Sequence, residues 1–215
     1  MTLNITLNDR TKNSALQRQK VMDDSIKIMA ALIEKRDPYT SRHQIRVAKL
    51  ACTIASEMHF TQDQILGLNL ASGIHDIGKM LIPFEILSKP GKLNCMEYNI
   101  IKEHPGIAGD ILANMEYHWP ISHIVYQHHE RLDGSGYPAG LKGEVILPEA
   151  KVLAVADVIE AMAFDRPYRP ALGMATALDE ITQRRGMLYD VEAVDACLKL
   201  FNEKGFKFEE CNQGQ

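Results

Sequence analysis

Five histidines and two aspartates in this 215-residue chain have the types and positions that could do chemistry: His43, His75, Asp76, His104, His128, His129 and Asp157. His75-Asp76 and His128-His129 are adjacent pairs, each near an expected helix end. Neighbouring helix residues point about 100° apart, so such a pair seldom grips one ion alone but can serve a wider cluster. Taken singly, either pair also fits a bland role, such as a capping aspartate beside a surface histidine. Asp157 lies inside the apolar run Val152–Ile159, where a carboxylate on a buried face requires a partner, either a Lys or Arg or a metal ion. As a set, imidazoles and carboxylates without a cysteine cluster suit Fe, Mn, Zn, Co or Ni. Seven donors exceed the needs of one tetrahedral zinc and fit a two-metal site with open positions. Two ions roughly 3.5–4 Å apart polarise a phosphate and generate hydroxide near neutral pH. His59, His118 and His123 have no such context and are read as ordinary.

A second cluster, Asp165-Arg166-Pro167-Tyr168-Arg169, follows the expected Asp157 helix. Its two arginines flank a rigid Pro-Tyr unit, and the planar guanidinium fork suits phosphate. The alternative is a solvated loop tied by local ion pairs, with Arg169 braced on Asp165. Lys79 stands close behind His75-Asp76. Asp133-Gly134-Ser135-Gly136-Tyr137-Pro138 reads as a loop directly after His128-His129.

The elements that hold these residues are helical in period. Ile26, Met29, Ala30 and Ile33 share one face; Pro38 stops that helix, and Thr40 or Ser41 can cap the next, which continues through Ile45, Leu50, Ala51, Ile54 and Met58. Thr61 with Gln64 predicts a capping box for a helix that runs to Asp76 and ends at Gly78 as its C′ residue. Asn94 predicts a helix ending near His104, and Pro105 starts the next. Pro120 suits the first position of a helix reaching His128 and His129. Pro148 opens a strongly apolar helix containing Asp157, and two more helices fit 174–184 and 190–202, the latter capped by Asp190. No alternating strand stands out, so the expected class is all-α, a bundle of about seven to nine helices. Residues 1–24 are polar and patternless, and read as a helical arm, a connection to another domain or a frayed end; the compact domain is expected over 25–215.

Apolar residues make up 46% of the chain, which excludes disorder as the default. Lys and Arg total 24 against 28 Asp and Glu, a net charge of −4, which argues against a duplex nucleic-acid binder while leaving room for a small anionic ligand. The four cysteines are far apart, so a reducing cytoplasm is the expected setting. No apolar stretch reaches the length of a membrane span.

His75-Asp76-Ile77-Gly78-Lys79 with Ile82-Pro83, and the unbroken run from His128-His129-Glu130 to Gly136-Tyr137-Pro138, resemble the two signatures of the HD-GYP domain, a branch of the HD phosphohydrolase superfamily. Arg36-Asp37-Pro38-Tyr39-Thr40, Val155-Ala156-Asp157 and Asp165–Arg169 fit the same pattern, and the resemblance spans about residues 25–205. It implies an all-α bacterial signalling domain that hydrolyses cyclic di-GMP to linear pGpG and often on to GMP. It implies two divalent ions, Fe or Mn first, with Zn, Co and Ni as alternatives. One ion would take His43, His75, Asp76 and Asp157; the other would take His104, His128 and His129, with Asp76 as bridge. Asp76 and Lys79 would be the catalytic residues. Lys79, Tyr137, Arg166 and Arg169 fall on dinucleotide-contacting positions, with Asp37 beside the site. Tyr39 stands where some members carry a glutamate for a third metal, which is why two ions are expected, and Arg42 replaces a residue that is usually small. The rival readings are hydrolysis of another cyclic dinucleotide such as cyclic GMP-AMP, and an interaction module that contacts diguanylate cyclases through Gly136-Tyr137-Pro138. Homodimer formation is a further partner expectation.

Overall fold

The computed structural model describes residues 24, 28–29, 31–32, 40–114, 118–166 and 169–208. Within them lie nine α-helices and two short 3-10 turns, and strand geometry is limited to two isolated bridges, in keeping with the all-α expectation. The helices are α1 (Thr40–Glu57), α2 (Gln62–Ile74), α3 (Phe84–Leu87), α4 (Cys95–Ile101), α5 (His104–Ala113), α6 (Ile121–Gln127), α7 (Pro148–Ala163), α8 (Met174–Gln183) and α9 (Val191–Asn202). The expected arm over 1–24 lies outside the described residues apart from Asp24. No described helix is long and apolar enough to cross a membrane.

Three helix starts follow directly from side-chain chemistry. Thr61 Oγ1 accepts from Gln64 N while Gln64 Oε1 accepts from Thr61 N. Asn94 and Glu97 repeat this box at α4, and Asp190 accepts from two amides at the start of α9. Each cap satisfies amides that the first turn leaves unpaired, about 1 kcal/mol apiece.

The organising element is α7. Val152, Leu153, Val155, Ala156 and Ile159 have no exposed surface, and the helix packs against α1, α2, α6, α8 and α9. Full burial of each Val, Leu or Ile contributes about 1.5–3 kcal/mol, so α7 is held firmly in the core and fixes Asp157 there.

Three expected boundaries shift, and each shift bears on a site residue. Helix α2 stops at Ile74; His75 is its C-cap, and Asp76 heads the 3-10 turn Ile77–Leu81. Gly78 is not a left-handed C′ residue. A Cβ there would stand 2.0 Å from His104 O and 2.9 Å from Ala108 N, so glycine lets this turn abut the start of α5. Helix α4 ends at Ile101, and His104 opens α5 with Pro105 in its first turn, where the missing N–H costs nothing. Helix α6 ends at Gln127 with His128 as C-cap, and Pro120 is the N-cap.

Candidate metal centre

His75, His104 and His128 share one local device. Each sits just past a helix C-terminus, where the last carbonyls lack helical partners. Nδ1–H of His75 donates to Ser72 O at 2.8 Å, that of His104 to Ile101 O at 2.7 Å, and that of His128 to Val125 O at 2.5 Å. With its proton placed on Nδ1, each ring turns a bare Nε2 inward. His43 is held differently: it lies on α1, donates Nδ1–H to the buried Glu160 Oε2, and turns Nε2 to Asp157 Oδ1 at 3.2 Å.

The seven candidates converge. His104, His128 and His129 form one group whose donor atoms lie within 4.8 Å of one another; His43, His75 and Asp157 form a second. Asp76 stands between them: Oδ1 is 3.3 Å from His104 Nε2, while Oδ2 is 3.5 Å from His75 Nε2 and 3.7 Å from His43 Nε2. Lys79 Nζ donates to Asp76 Oδ2 at 2.8 Å. His59 and His123 are exposed, and His118 is an exposed neighbour of Asp63 at 3.6 Å, so the three histidines set aside lie apart from the centre.

Electrostatics put these groups in ligating form. Burial lowers the pKa of His104 to about 4, with Lys79 and His75 adding to the effect. Burial likewise lowers His75, His128 and His129. Burial works against ionisation of Asp76 and Asp157, but Lys79 and the imidazoles around Asp76, and His43, His129 and His75 around Asp157, hold both well below the usual carboxylate range. His43 is the exception. Burial and Arg166 lower its pKa, yet its hydrogen bonds to Asp157 and Glu160 prevail and raise it. Neutral imidazoles and ionised carboxylates are what a divalent cation needs.

The donor set fits divalent ions. His75 Nε2 is buried without a hydrogen-bond partner among the described residues, an arrangement that is costly unless a cation meets it. Imidazole and carboxylate donors without thiolate leave Fe, Mn, Zn, Co and Ni all chemically suitable.

Above the centre opens a cavity of about 620 Å³. His43, Asp76, His104, His129 and Asp157 form its floor, and Lys79, Tyr137, Arg166 and Arg169 stand in its wall. The loop after His129 folds back because Gly136 has no side chain: a Cβ would lie 2.5 Å from Arg131 N, Glu130 Cα and His129 O. Glu130 then accepts from Ala139 N and Leu141 N, and the Tyr137 ring lies over His129 with centroids 4.7 Å apart. Arg169 is not braced on Asp165, which accepts from Ala171 N; Arg169 Nη2 donates to Ala161 O, and Nη1 is buried without a partner among the described residues. Asp37 and Tyr39 lie outside the described residues, and Arg42 is exposed on α1.

Several lining or supporting residues were not singled out from sequence. Glu160 lies one turn beyond Asp157 on α7; extending the buried-carboxylate argument one residue past Ile159 would have found it. Glu130 is inside a recognised motif, but only the folded loop shows that it ties that loop down. Lys89, Lys92 and Tyr98 line the far wall, from a stretch in which only the α4 cap carried a signal.

A model of the HD domain matches residues 27–193. The chain belongs to the HD domain family. The cyclic di-GMP phosphodiesterase response regulator RpfG of Xanthomonas campestris pv. campestris is 36% identical to this HD domain over 197 residues, 91% of this chain and 52% of the relative. A cyclic di-GMP phosphodiesterase of Thermotoga maritima is 41% identical over 182 residues, 83% of this chain and 49% of its own. 3′3′-cGAMP-specific phosphodiesterase 3 of Vibrio cholerae is 32% identical, covering 80% of this chain and 37% of the relative. The chain thus spans about half the length, or less, of these curated relatives. The solved structure of Bd1817, an HDG"Y"P protein from Bdellovibrio bacteriovorus, has a TM-score of 0.65 at 15% identity, covers 88% of this chain and 64% of that one, and shares the fold.

Proposed function

We propose that this HD domain is a metal-dependent phosphodiesterase that hydrolyses cyclic di-GMP to linear pGpG, with GMP as a further product. The observation that carries the reading is the placement of Asp76, one oxygen facing each histidine group, on the floor of a cavity walled by Lys79, Arg166 and Arg169. His43, His75, Asp76 and Asp157 would hold one divalent ion, and His104, His128 and His129 the other, with Asp76 shared. Fe or Mn is the proposed metal. When bound, the ions supply Lewis acidity at the phosphate and lower the pKa of water to near neutrality.

The chain's own groups do the rest. Asp76 would offset the repulsion between two dications. Lys79, held against Asp76, extends a cation into the cavity where charge gathers on the phosphoryl oxygens. Arg169 stands in the same wall, its Nη1 has no hydrogen-bond partner among the described residues, and its guanidinium is suited to grip a phosphate. Arg166 divides its donors between the cavity and Glu160. Tyr137, stacked on His129, covers the three-histidine group and narrows water access.

Cyclic GMP-AMP is the second substrate reading, supported by the Vibrio cholerae relative that carries that specificity in its name. Tyr137 turns inward while Pro138 and Ala139 are exposed, so contact with diguanylate cyclases would use the loop tip. The cytoplasm is the proposed compartment, in line with Cys52, Cys95 and Cys197 being free thiols. Parallel kcat/KM measurements on the two dinucleotides with metal-reconstituted protein test the substrate: a preference of at least tenfold for cyclic di-GMP is expected, and the reverse preference would reassign it.

A further inference from the structure

The four histidines that turn Nε2 inward are not held alike. His75, His104 and His128 give Nδ1–H to main-chain carbonyls, which every residue type supplies. His43 alone gives it to a side chain, Glu160. From this asymmetry, and resting on the two-ion reading above, we infer that Glu160 is a positioning residue for one metal site only: it sets the tautomer and angle of His43 and couples that ring to Arg166 in the cavity wall.

The surroundings of Glu160 fit this role. Its side chain is buried at the junction of α1 and α7. Oε1 accepts from Arg46 through both Nε, at 2.7 Å, and Nη2. Oε2 accepts from His43 Nδ1 and from Arg166 Nη2, the latter at 3.0 Å. Arg166 Nη2 is also 3.0 Å from His43 Nδ1, so two donors converge on one carboxylate oxygen. Arg46 in turn lies over the Phe164 ring, its guanidinium carbon 3.9 Å from the centroid, at the start of the segment carrying Arg166 and Arg169. One carboxylate therefore orients a ligand-type imidazole, accepts hydrogen bonds from two guanidiniums and ties the arginine segment to α7. A carboxylate behind an imidazole fixes which nitrogen is bare and makes the ring a stronger donor, and loss of such support typically weakens a metal site about 10- to 100-fold.

The expected consequence is selective. In Glu160→Gln the amide oxygen is drawn to Arg46, and the amide NH2 faces His43 Nδ1. That arrangement favours a proton on Nε2, the nitrogen that has to be bare. The group His104, His128 and His129 makes no contact with Glu160 and should not feel the change.

The test is titration of metal-stripped full chain with Mn2+ alone, in wild type, Glu160→Gln, Arg46→Met and the double variant Arg46→Met/Glu160→Met, with melting temperatures on the same samples. Arg46→Met keeps the His43–Glu160 contact and should bind two ions as wild type does. The double variant removes the acceptor together with one of its cations, which limits the local charge imbalance. Both variants lacking Glu160 should keep one site at wild-type affinity and weaken the other about 10- to 100-fold. Unchanged affinity at both sites, or an equal loss at both, overturns the positioning role, and failure of both variants to fold also overturns it in favour of a purely structural one. If wild type binds fewer than two Mn2+, the two-ion reading fails and takes this inference with it, whereas two ions in wild type with unchanged variants defeat the inference alone.

Discussion

Asp76 Oδ1 lies 3.3 Å from His104 Nε2, a contact made where the first 3-10 turn meets the N-terminus of α5. The other oxygen of the same carboxylate faces His43 and His75, so Asp76 spans the two ligand groups, which also meet where His75 and His128 approach each other. If Asp76 is the bridge, Asp76→Ala should lose at least one ion and all measurable hydrolysis of cyclic di-GMP. Elemental analysis and a product assay on the same sample check this. Two ions and retained turnover would remove Asp76 from the bridging position.

Gly78 makes that contact sterically feasible. Gly78→Ala puts a methyl 2.0 Å from His104 O and 2.9 Å from Ala108 N, both main-chain atoms. The turn and α5 must separate, at a cost of about 1–3 kcal/mol. The expected outcome is a lower melting temperature together with weaker binding at the three-histidine group. A variant with wild-type melting temperature and metal affinity would show that the two elements can part freely.

Arg169→Ala should lower kcat/KM for cyclic di-GMP about ten- to a hundred-fold, the usual range for a lost charge-assisted contact of about 1.5–3 kcal/mol. Metal content should not change. Arg169→Lys should recover part of the loss, because an ammonium keeps the charge without the bidentate fork. Because Arg169 Nη2 is bonded to Ala161 O and makes no ion pair with Asp165 among the described residues, loss of an Arg169–Asp165 brace does not explain a defect. Steady-state kinetics at low temperature separate a binding defect from a folding one, and unchanged kcat/KM would take Arg169 out of the substrate site.

His43 sets the expected pH dependence of metal uptake. Its folded pKa is raised above the ordinary 6.5 despite burial, because Asp157 and Glu160 hold the ring's protons. A raised folded pKa stabilises the metal-free fold fully below the unfolded value, and that contribution is lost as pH rises through the folded one. Metal affinity should run in the opposite sense, rising over that same interval, because a metal ion must displace a proton from Nε2. Calorimetry in buffers of different ionisation heat should show proton release on Mn2+ binding near neutral pH, and less of it in His43→Ala. Release unchanged in that variant would assign the proton elsewhere.

The seven ligand candidates were legible in sequence because their chemistry is scarce and their positions are odd: a carboxylate in an apolar helix and imidazoles at helix ends. The all-α class and the caps at Thr61, Asn94 and Asp190 followed from local chemistry alone. What sequence missed was tertiary. The ends of α2 and α4 came earlier than expected because His75 and His104 lie just past them and take up their free carbonyls, a bond invisible to periodicity. Gly78 reads as a helix stop until α5 is seen against it. Lys89, Lys92 and Tyr98 reach the cavity only because the segment before and within α4 folds over it.

Whether this domain is a two-metal cyclic di-GMP phosphodiesterase is decided by anaerobic reconstitution of the metal-stripped chain with Fe2+ or Mn2+, followed by chromatography of cyclic di-GMP products. The stripped protein should show no turnover, activity should recover in step with the second equivalent of metal, and linear pGpG should be the first product. Turnover without added metal, or two bound ions with cyclic di-GMP left intact, would contradict that assignment.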